Sequence, residues 1–186
     1  VINAKATNIH SPSDERQAPF CPVFDACGGC QLQHIKPDSA LEQRDRALKV
    51  MMERQLSMKP NVWQAPLAGP RPQYRRKARL AIDARNPNHI KLGFREPNSN
   101  KVINVEACPI LVDPLSRLIG PLRNALTGFE SARHIGHISL IAGDNISHLV
   151  IKHTKALEAE LIDAVSELVN TSSSVNGYEI ELKLEN

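Results

Sequence analysis

Aromatic residues are scarce in this sequence, and it has no glycine-rich phosphate loop. Of its 186 residues only 4% are aromatic, so a core has to be filled with aliphatic side chains, which the 41% hydrophobic content allows. None of the nine glycines falls in a G-x-G-x-x-G turn. The strand-to-helix phosphate cradle of a nucleotide-type fold is therefore not visible. No apolar run approaches the ~18 residues of a membrane-spanning helix, so a membrane span is excluded. No secretory signal is evident at the start. Together with only four cysteines, expected to be reduced, this points to the cytoplasm.

The charge that is present is unevenly placed. Net charge is only +3, but residues 71–101 hold nine Lys and Arg against Asp83 and Glu96. Residues 154–186 reverse the balance, with Lys155 and Lys183 against seven acids. A basic middle of this kind points to a polyanionic partner.

Three of the cysteines crowd into Cys21-Pro-Val-Phe-Asp-Ala-Cys27-Gly-Gly-Cys30-Gln-Leu-Gln-His34, and the fourth is Cys108, also followed by proline. Four thiolates suit a tetrahedral metal or an iron–sulfur cluster, and Cys-Pro at a closing ligand is a recurring cluster feature. Gly28 and Gly29 permit a tight turn between ligands, at positive φ where needed. Pro22 and Pro109 keep the ligand loops out of helix. Structural zinc prefers paired C-x2-4-C knuckles, and only Cys27–Cys30 has that spacing. The uneven spacing favours a cluster, with structural zinc and reduced or paired thiols as the other readings.

This segment closely resembles the cluster-binding segment of the bacterial 23S ribosomal RNA uracil-5 methyltransferases. The resemblance continues through Tyr74-Arg-Arg-Lys-Ala-Arg79, Leu92-Gly-Phe-Arg95, Cys108-Pro-Ile-Leu111 and Arg133-His-Ile-Gly-His137. It fits best the branch with an N-terminal β-barrel that acts at the 1939-type site, judged from the Gln31-Leu-Gln-His34 motif. One departure is Ile35-Lys36-Pro37, where an aromatic residue is expected nearby. The resemblance implies three modules: an N-terminal β-barrel RNA-binding domain, a central cluster-bearing domain, and a methyltransferase domain using S-adenosylmethionine. It implies that Cys21, Cys27, Cys30 and Cys108 ligate a [4Fe–4S] cluster, and that the partner is 23S ribosomal RNA. Methyl transfer in such a family uses a cysteine nucleophile and a general base. All four cysteines match cluster ligands, so no catalytic residue is assigned and the chain is expected to be inactive alone.

The domain reading follows. Residues 1–20 are taken as a remnant of the β-barrel, with Val1–Ala6 a strand, followed by a linker. Residues 21–37 are the iron–sulfur loop. Residues 38–58 are a helix begun by the capping box Ser39-x-x-Glu42. Its stripe of Leu41, Leu48, Met51, Met52 and Leu56 is expected to pack as an ordinary core face; a sharper alternative is docking on the absent methyltransferase domain. Residues 59–186 form a central α/β RNA-binding domain closed by Cys108. The expected fold class is α+β, with a mostly antiparallel sheet and two or three packed helices.

Within the last region, residues 57–73 read as a loop, with Trp63 a packing anchor. From Tyr74 to Ile82, Arg75, Lys77 and Arg79 alternate with Ala78, Leu80 and Ile82, the period of a half-buried strand. Ile90–Arg95 and Val102–Val105 continue an antiparallel meander through turns at Asn86-Pro-Asn88 and Glu96–Asn100. Asp113-Pro114 reads as a helix N-cap and first turn, with Leu115, Leu118, Ile119, Leu122 and Leu126 buried and Gly128 as the stop. Strands are expected over 135–142 and 146–152, a helix over 157–169, a linker at Asn170–Ser174, and a final strand through Tyr178, Ile180, Leu182 and Leu184. The candidate RNA surface is Tyr74, Arg75, Arg76, Lys77, Arg79, Lys91, Phe94 and Arg95: cations for phosphates, and Tyr74 or Phe94 for stacking. His34, His134, His137 and His153 lack zincin spacing and read as surface or hydrogen-bonding residues. Two other functions are open: a zinc-stabilised RNA-binding module with no enzyme attached, and a redox-sensing iron–sulfur protein.

Overall fold

A computed structural model describes residues 6–57, 59–69, 71–176 and 179–186. The expected strand at the start lies outside the described residues up to Lys5, as does Tyr178. The chain divides into two compact units, Val1–Phe20 with Cys30–Ala68, and Cys21–Gly29 with Gly69–Asn186. Both the fold class and the mixed α+β content are as expected, with three α-helices and a six-stranded sheet among the described residues.

The first unit holds α1, Pro37–Leu56. The helix starts two residues before Ser39: Pro37, with φ already helical, takes the first position after the Lys36 cap. The capping box is therefore not used, and no side-chain cap bond forms. The expectation of an ordinary core-packing helix is also corrected, because no residue of α1 is buried. Its Leu48, Met51 and Leu56 are exposed, as are Ile9, Val62 and Leu67 elsewhere in the unit. Aliphatic side chains outside the helix, such as Ile9, Val62 and Leu67, are themselves exposed and leave the stripe uncovered, and the helix is tied instead by polar contacts. Trp63 Nε1 donates to Asp45 Oδ1 at 2.7 Å, and Lys49 sits 5.1 Å from the Trp63 ring centre. Trp63 is thus the anchor expected of it.

In the second unit the strands are β1 (Lys77–Asp83), β2 (Lys91–Arg95), β3 (Val102–Asn104), β4 (Ile135–Ala142), β5 (Ile146–His153) and β6 (Glu179–Glu185). They lie in the order β3-β2-β1-β4-β5-β6. All neighbours are antiparallel except β5 and β6. A parallel neighbour needs a crossover, which α3 (Ala159–Asn176) supplies. The helix α2 (Asp113–Leu126) packs against α3. Opposed residues share a face in paired strands. Ala78 faces Leu140 and Leu80 faces Ile138, which in turn face Leu149 and Ile151. All six are buried, as are Leu115, Leu118, Ile119, Leu122 and Leu126 of α2 and Leu161, Val165 and Val169 of α3. Each fully buried leucine contributes about 1.5–3 kcal/mol of transfer free energy.

Three boundaries differ from the sequence reading. The cap of α2 is Val112, not Asp113, and Asp113 instead pairs with Arg117 at 2.7 Å one turn on. The supposed linker Asn170–Ser174 belongs to α3. Serine hydroxyls there answer carbonyls a turn back instead of breaking the helix: Ser166 Oγ donates to Ile162 O at 2.8 Å and Ser174 Oγ to Asn170 O at 3.0 Å. The strand expected from Tyr74 begins at Lys77, because residues 73–75 run beside 109–112 instead. Gly128, at φ +97°, follows the end of α2 as expected.

Candidate functional site

The cysteine loop is built from tight turns. Phe24 N–H donates to Cys21 O at 3.1 Å, and Cys27 N–H to Val23 O at 2.8 Å. The Gly29 amide then points at Cys27 Sγ, 3.4 Å away, the orientation that stabilises a thiolate. The Gly28 amide donates to Arg95 O at 2.9 Å, which docks the loop on the end of β2. A Cβ at Gly28 would lie 2.9 Å from Arg95 O and 3.3 Å from Pro97 N. Gly28 is thus required for close approach of two backbones. Neither Gly28 nor Gly29 has the positive φ allowed for in the sequence reading.

Cys108 is buried and held by Ser116, whose Oγ accepts from Cys108 N–H and donates to Cys108 O, both at 3.0 Å. Beside it, Gln73 N–H donates to Pro109 O (3.1 Å), Arg75 N–H to Ile110 O (2.8 Å), and Val112 N–H to Arg75 O (3.0 Å). The lead into β1 is therefore laddered to the segment that follows Cys108. The donor chemistry of this set fits a thiolate-ligated centre: four cysteines and an amide aimed at sulfur. Among the described residues no group of three or more His, Cys, Asp or Glu is gathered as a metal site. Cys30 falls in the first unit, and Cys21, Cys27 and Cys108 in the second.

The basic residues divide by what they touch. Lys77 and Arg79 are exposed on the side of β1 away from the helices. Arg76 is turned to the β4–β5 hairpin, donating to Ala142 O at 3.1 Å and to Gly143 O, and pairing with Asp144 at 2.9 Å. Arg95 clamps the β2–β3 turn through Asn100 O (3.2 Å) and Oδ1 (2.7 Å). Lys91 is exposed on β2. Phe94 is half-buried beyond Leu92 on the core side of β2, not on the basic side. Tyr74 is half-exposed, with the Arg75 guanidinium 6.0 Å from its ring centre. Asp83 is held by Arg85 and its carboxyl is pulled down to about 2, chiefly by that hydrogen bond.

The sheet extends this face beyond β1, which the sequence reading did not include. Lys77 is opposed to Ile141, and Ile141 to His148. Arg79 is opposed to Ser139, Ser139 to Val150, and Val150 to Lys183. His137 is opposed to Lys152, and Lys152 to Glu185. The His137 pKa is lowered, first by burial and then by the Arg79 and Lys152 charges, with Glu185 opposing. Period-two alternation in β4 and β5 was legible, but their adjacency to β1 is a long-range pairing that alternation does not specify. Of the other histidines, His148 Nδ1 lies 3.0 Å from Glu181 Oε2 and His153 Nδ1 lies 2.9 Å from Lys155 O, while the main-chain carbonyl of His134 accepts from Thr154 N–H at 2.9 Å.

Among the described residues no helix is long and apolar enough to cross a membrane. No family model matches the chain. Curated relatives do. A protein of Alteromonas mediterranea named 23S rRNA (uracil(1939)-C(5))-methyltransferase RlmD is 68% identical over 183 residues, which is 98% of this chain and 37% of the relative. The protein of that name from Alteromonas naphthalenivorans is 53% identical over 90% of this chain and 35% of its own length. That from Shewanella baltica is 38% identical over 83% of this chain and 34% of its own length. The chain thus spans little more than a third of the length of the curated relatives it matches. Over the stretch that they share, this chain is similar to proteins named as 23S rRNA uracil-5 methyltransferases.

Proposed function

We propose that this chain is the central, RNA-holding part of a 23S ribosomal RNA uracil-5 methyltransferase of the 1939-site type. The observation that carries this reading is the 68% identity over 98% of the chain to a protein of that name. S-adenosylmethionine is the methyl donor of the whole enzyme and binds outside these residues, as does the nucleophile. The partners are 23S ribosomal RNA and the N-terminal β-barrel and C-terminal methyltransferase domains. The setting is the cytoplasm. Of the basic set, Lys77, Arg79, Lys91 and Arg75 contact RNA phosphates, and Tyr74 offers a ring for an unpaired base. Arg76 and Arg95 hold the hairpins that frame the surface. The chain alone transfers no methyl group; turnover by it with S-adenosylmethionine and ribosomal RNA would refute that part.

Cys21, Cys27, Cys30 and Cys108 are the ligands of a [4Fe–4S] cluster in this reading. When bound, the cluster supplies a covalent tie between the N-terminal loop and the segment after β3. The support is the all-thiol donor set, the amide on Cys27 Sγ and the pinned backbones on either side. Cluster binding would require the four thiols to be deprotonated and would add its binding free energy to folding. The domain reading is kept with it: residues 1–20 as a β-barrel remnant and linker, 21–37 as the cluster loop, 38–58 as a helix that docks on the methyltransferase domain, and 59–186 as the RNA-binding domain. The test is anaerobic reconstitution with iron and sulfide, followed by metal analysis and a visible spectrum. A brown product with about four irons per chain is expected. A colourless protein that takes up one zinc would establish the zinc-stabilised module instead.

A further inference from the structure

Three features of the open sheet face are left unexplained by β1 alone. First, Lys77, Arg79 and Lys152 make no ion pair among the described residues, whereas Arg76, Arg85 and Arg123 are each tied to a carboxylate. Second, His137 stands between Arg79 and Lys152, which disfavour its protonated form, and Glu185 is the one acid acting on it. The acids on this face sit at its β6 edge, where Glu181 pairs with His148 at 3.0 Å and Lys183 at 3.2 Å and Glu185 is opposed to Lys152, so Lys77 and Arg79 on β1 are the cations farthest from them. Third, Ile141 is opposed to Lys77, and Val150 lies in the row of Arg79, Ser139 and Lys183; both are only half-buried. Half-buried apolar side chains set among exposed cations match a strand whose bases lie down while its phosphates run beside them. A duplex hides its bases and would use the cations only.

We propose that a single-stranded segment of RNA crosses β1, β4 and β5 on this face, with Lys77, Arg79 and Lys152 on its phosphates and Ile141 and Val150 under its bases. His137 sits beneath the path, positioned to donate a hydrogen bond to a phosphate or a base edge. The inference rests on the RNA-holding reading above and deepens it by naming the strands that do the holding. It moves the centre of the surface from the β2–β3 side, where Arg95 is committed to the turn, to the β4–β5 side.

The test uses a fluorescein-labelled unstructured oligouridylate of roughly ten nucleotides, within the ~4–16 range of single-strand site sizes, and anisotropy over a salt series. Lys152→Ala, a Lys77→Ala/Arg79→Ala pair and Arg76→Ala are compared, with circular dichroism verifying the fold. The salt slope should fall by about 0.7 for each phosphate whose cation is removed, for Lys152→Ala as for each member of the pair, and Arg76→Ala should not change it. Val150→Ser should weaken binding without altering the slope. If the pair lowers the slope, Lys152→Ala leaves it unchanged and Val150→Ser binds as the parent chain does, the path across β4 and β5 is wrong while RNA holding by β1 stands. If no variant lowers the slope, both fail. Binding of a duplex of the same length with the same sensitivity to Val150→Ser would overturn the single-strand assignment.

Discussion

Replacing Gly28 by alanine tests how the cysteine loop is attached. The new Cβ would lie 2.9 Å from Arg95 O and 3.3 Å from Pro97 N, both backbone atoms that no side-chain rotation can move away. Forcing extra volume into such a contact costs about 1–3 kcal/mol. The Gly28 N–H bond to Arg95 O, at 2.9 Å, is worth about 0.5–1.5 kcal/mol more. Alanine returns about 0.4–1 kcal/mol by restricting the unfolded chain, since Gly28 does not use a positive φ. The balance is a loss of about 1–3 kcal/mol. There is a ceiling, because the loop can detach once the strain exceeds its docking free energy, and the sheet then unfolds as before. The melting temperature should therefore fall by no more than roughly 2–12 °C at about 2–4 °C per kcal/mol. The larger change should be local, with faster amide exchange at residues 22–29 and at the β2–β3 turn. Gly29→Ala is the control, because its Cβ would meet only Cys27 Sγ at an ordinary 3.4 Å. If the amide of residue 28 exchanges as slowly in Gly28→Ala as in the parent chain, at the same melting temperature, the docking argument is wrong.

Other substitutions probe separate parts of the chain. Ser116→Ala leaves the Cys108 N–H and C=O without the hydroxyl that now serves both at 3.0 Å; a loss of about 1–3 kcal/mol is expected in urea denaturation. Trp63→Phe removes the 2.7 Å bond to Asp45, and protease cleavage between α1 and residue 69 should become faster while the melting of the sheet is unchanged. For His137 the folded pKa is below its usual 6.5. The unfolded state therefore takes up the proton first, and stability falls as pH drops through and below about 6.5. Urea midpoints at pH 7.5 and 5.5 should differ less in His137→Gln than in the parent chain.

What could be read in advance followed local chemistry. The limits of β4 at Ile135–Ala142, the buried stripe of α2 and the alternation of β1 are set by nearest neighbours and came through. The errors lie where a second segment decides. Ser172–Ser174 look like a linker until the i−4 carbonyls of a formed helix are there to receive such hydroxyls. The stripe of α1 has the period of a core face, but a core also needs partners packed on it, and Ile9, Val62 and Leu67 of the same unit stay exposed. The parallel pairing of β5 with β6 has no signature in alternation, which reads the same in both directions. In the basic run, Arg76 and Arg79 are indistinguishable by type. Only the position of the Gly143-Asp144 tip shows that Arg76 is already occupied.

The thiol and RNA readings meet in backbone, not in side chains. β1 turns Ala78 and Leu80 to the core and Lys77 and Arg79 outward, and a slip of one residue would exchange these sets. Its lead-in is laddered to residues 109–112 by three main-chain bonds, immediately after Cys108. Whatever fixes Cys108 therefore helps to fix the register in which β1 presents its cations, whereas the cations themselves hold nothing near Cys108. The dependence should run one way. Arg79→Ala should weaken RNA binding and leave metal content as it was, because an exposed side chain is removed and no ladder bond changes. Cys108→Ser should lower both metal content and RNA affinity, and should raise amide exchange at Arg75 and Val112. Equal RNA affinity in Cys108→Ser and the parent chain, with those two amides still protected, would show that the ladder holds β1 without help from the cysteine.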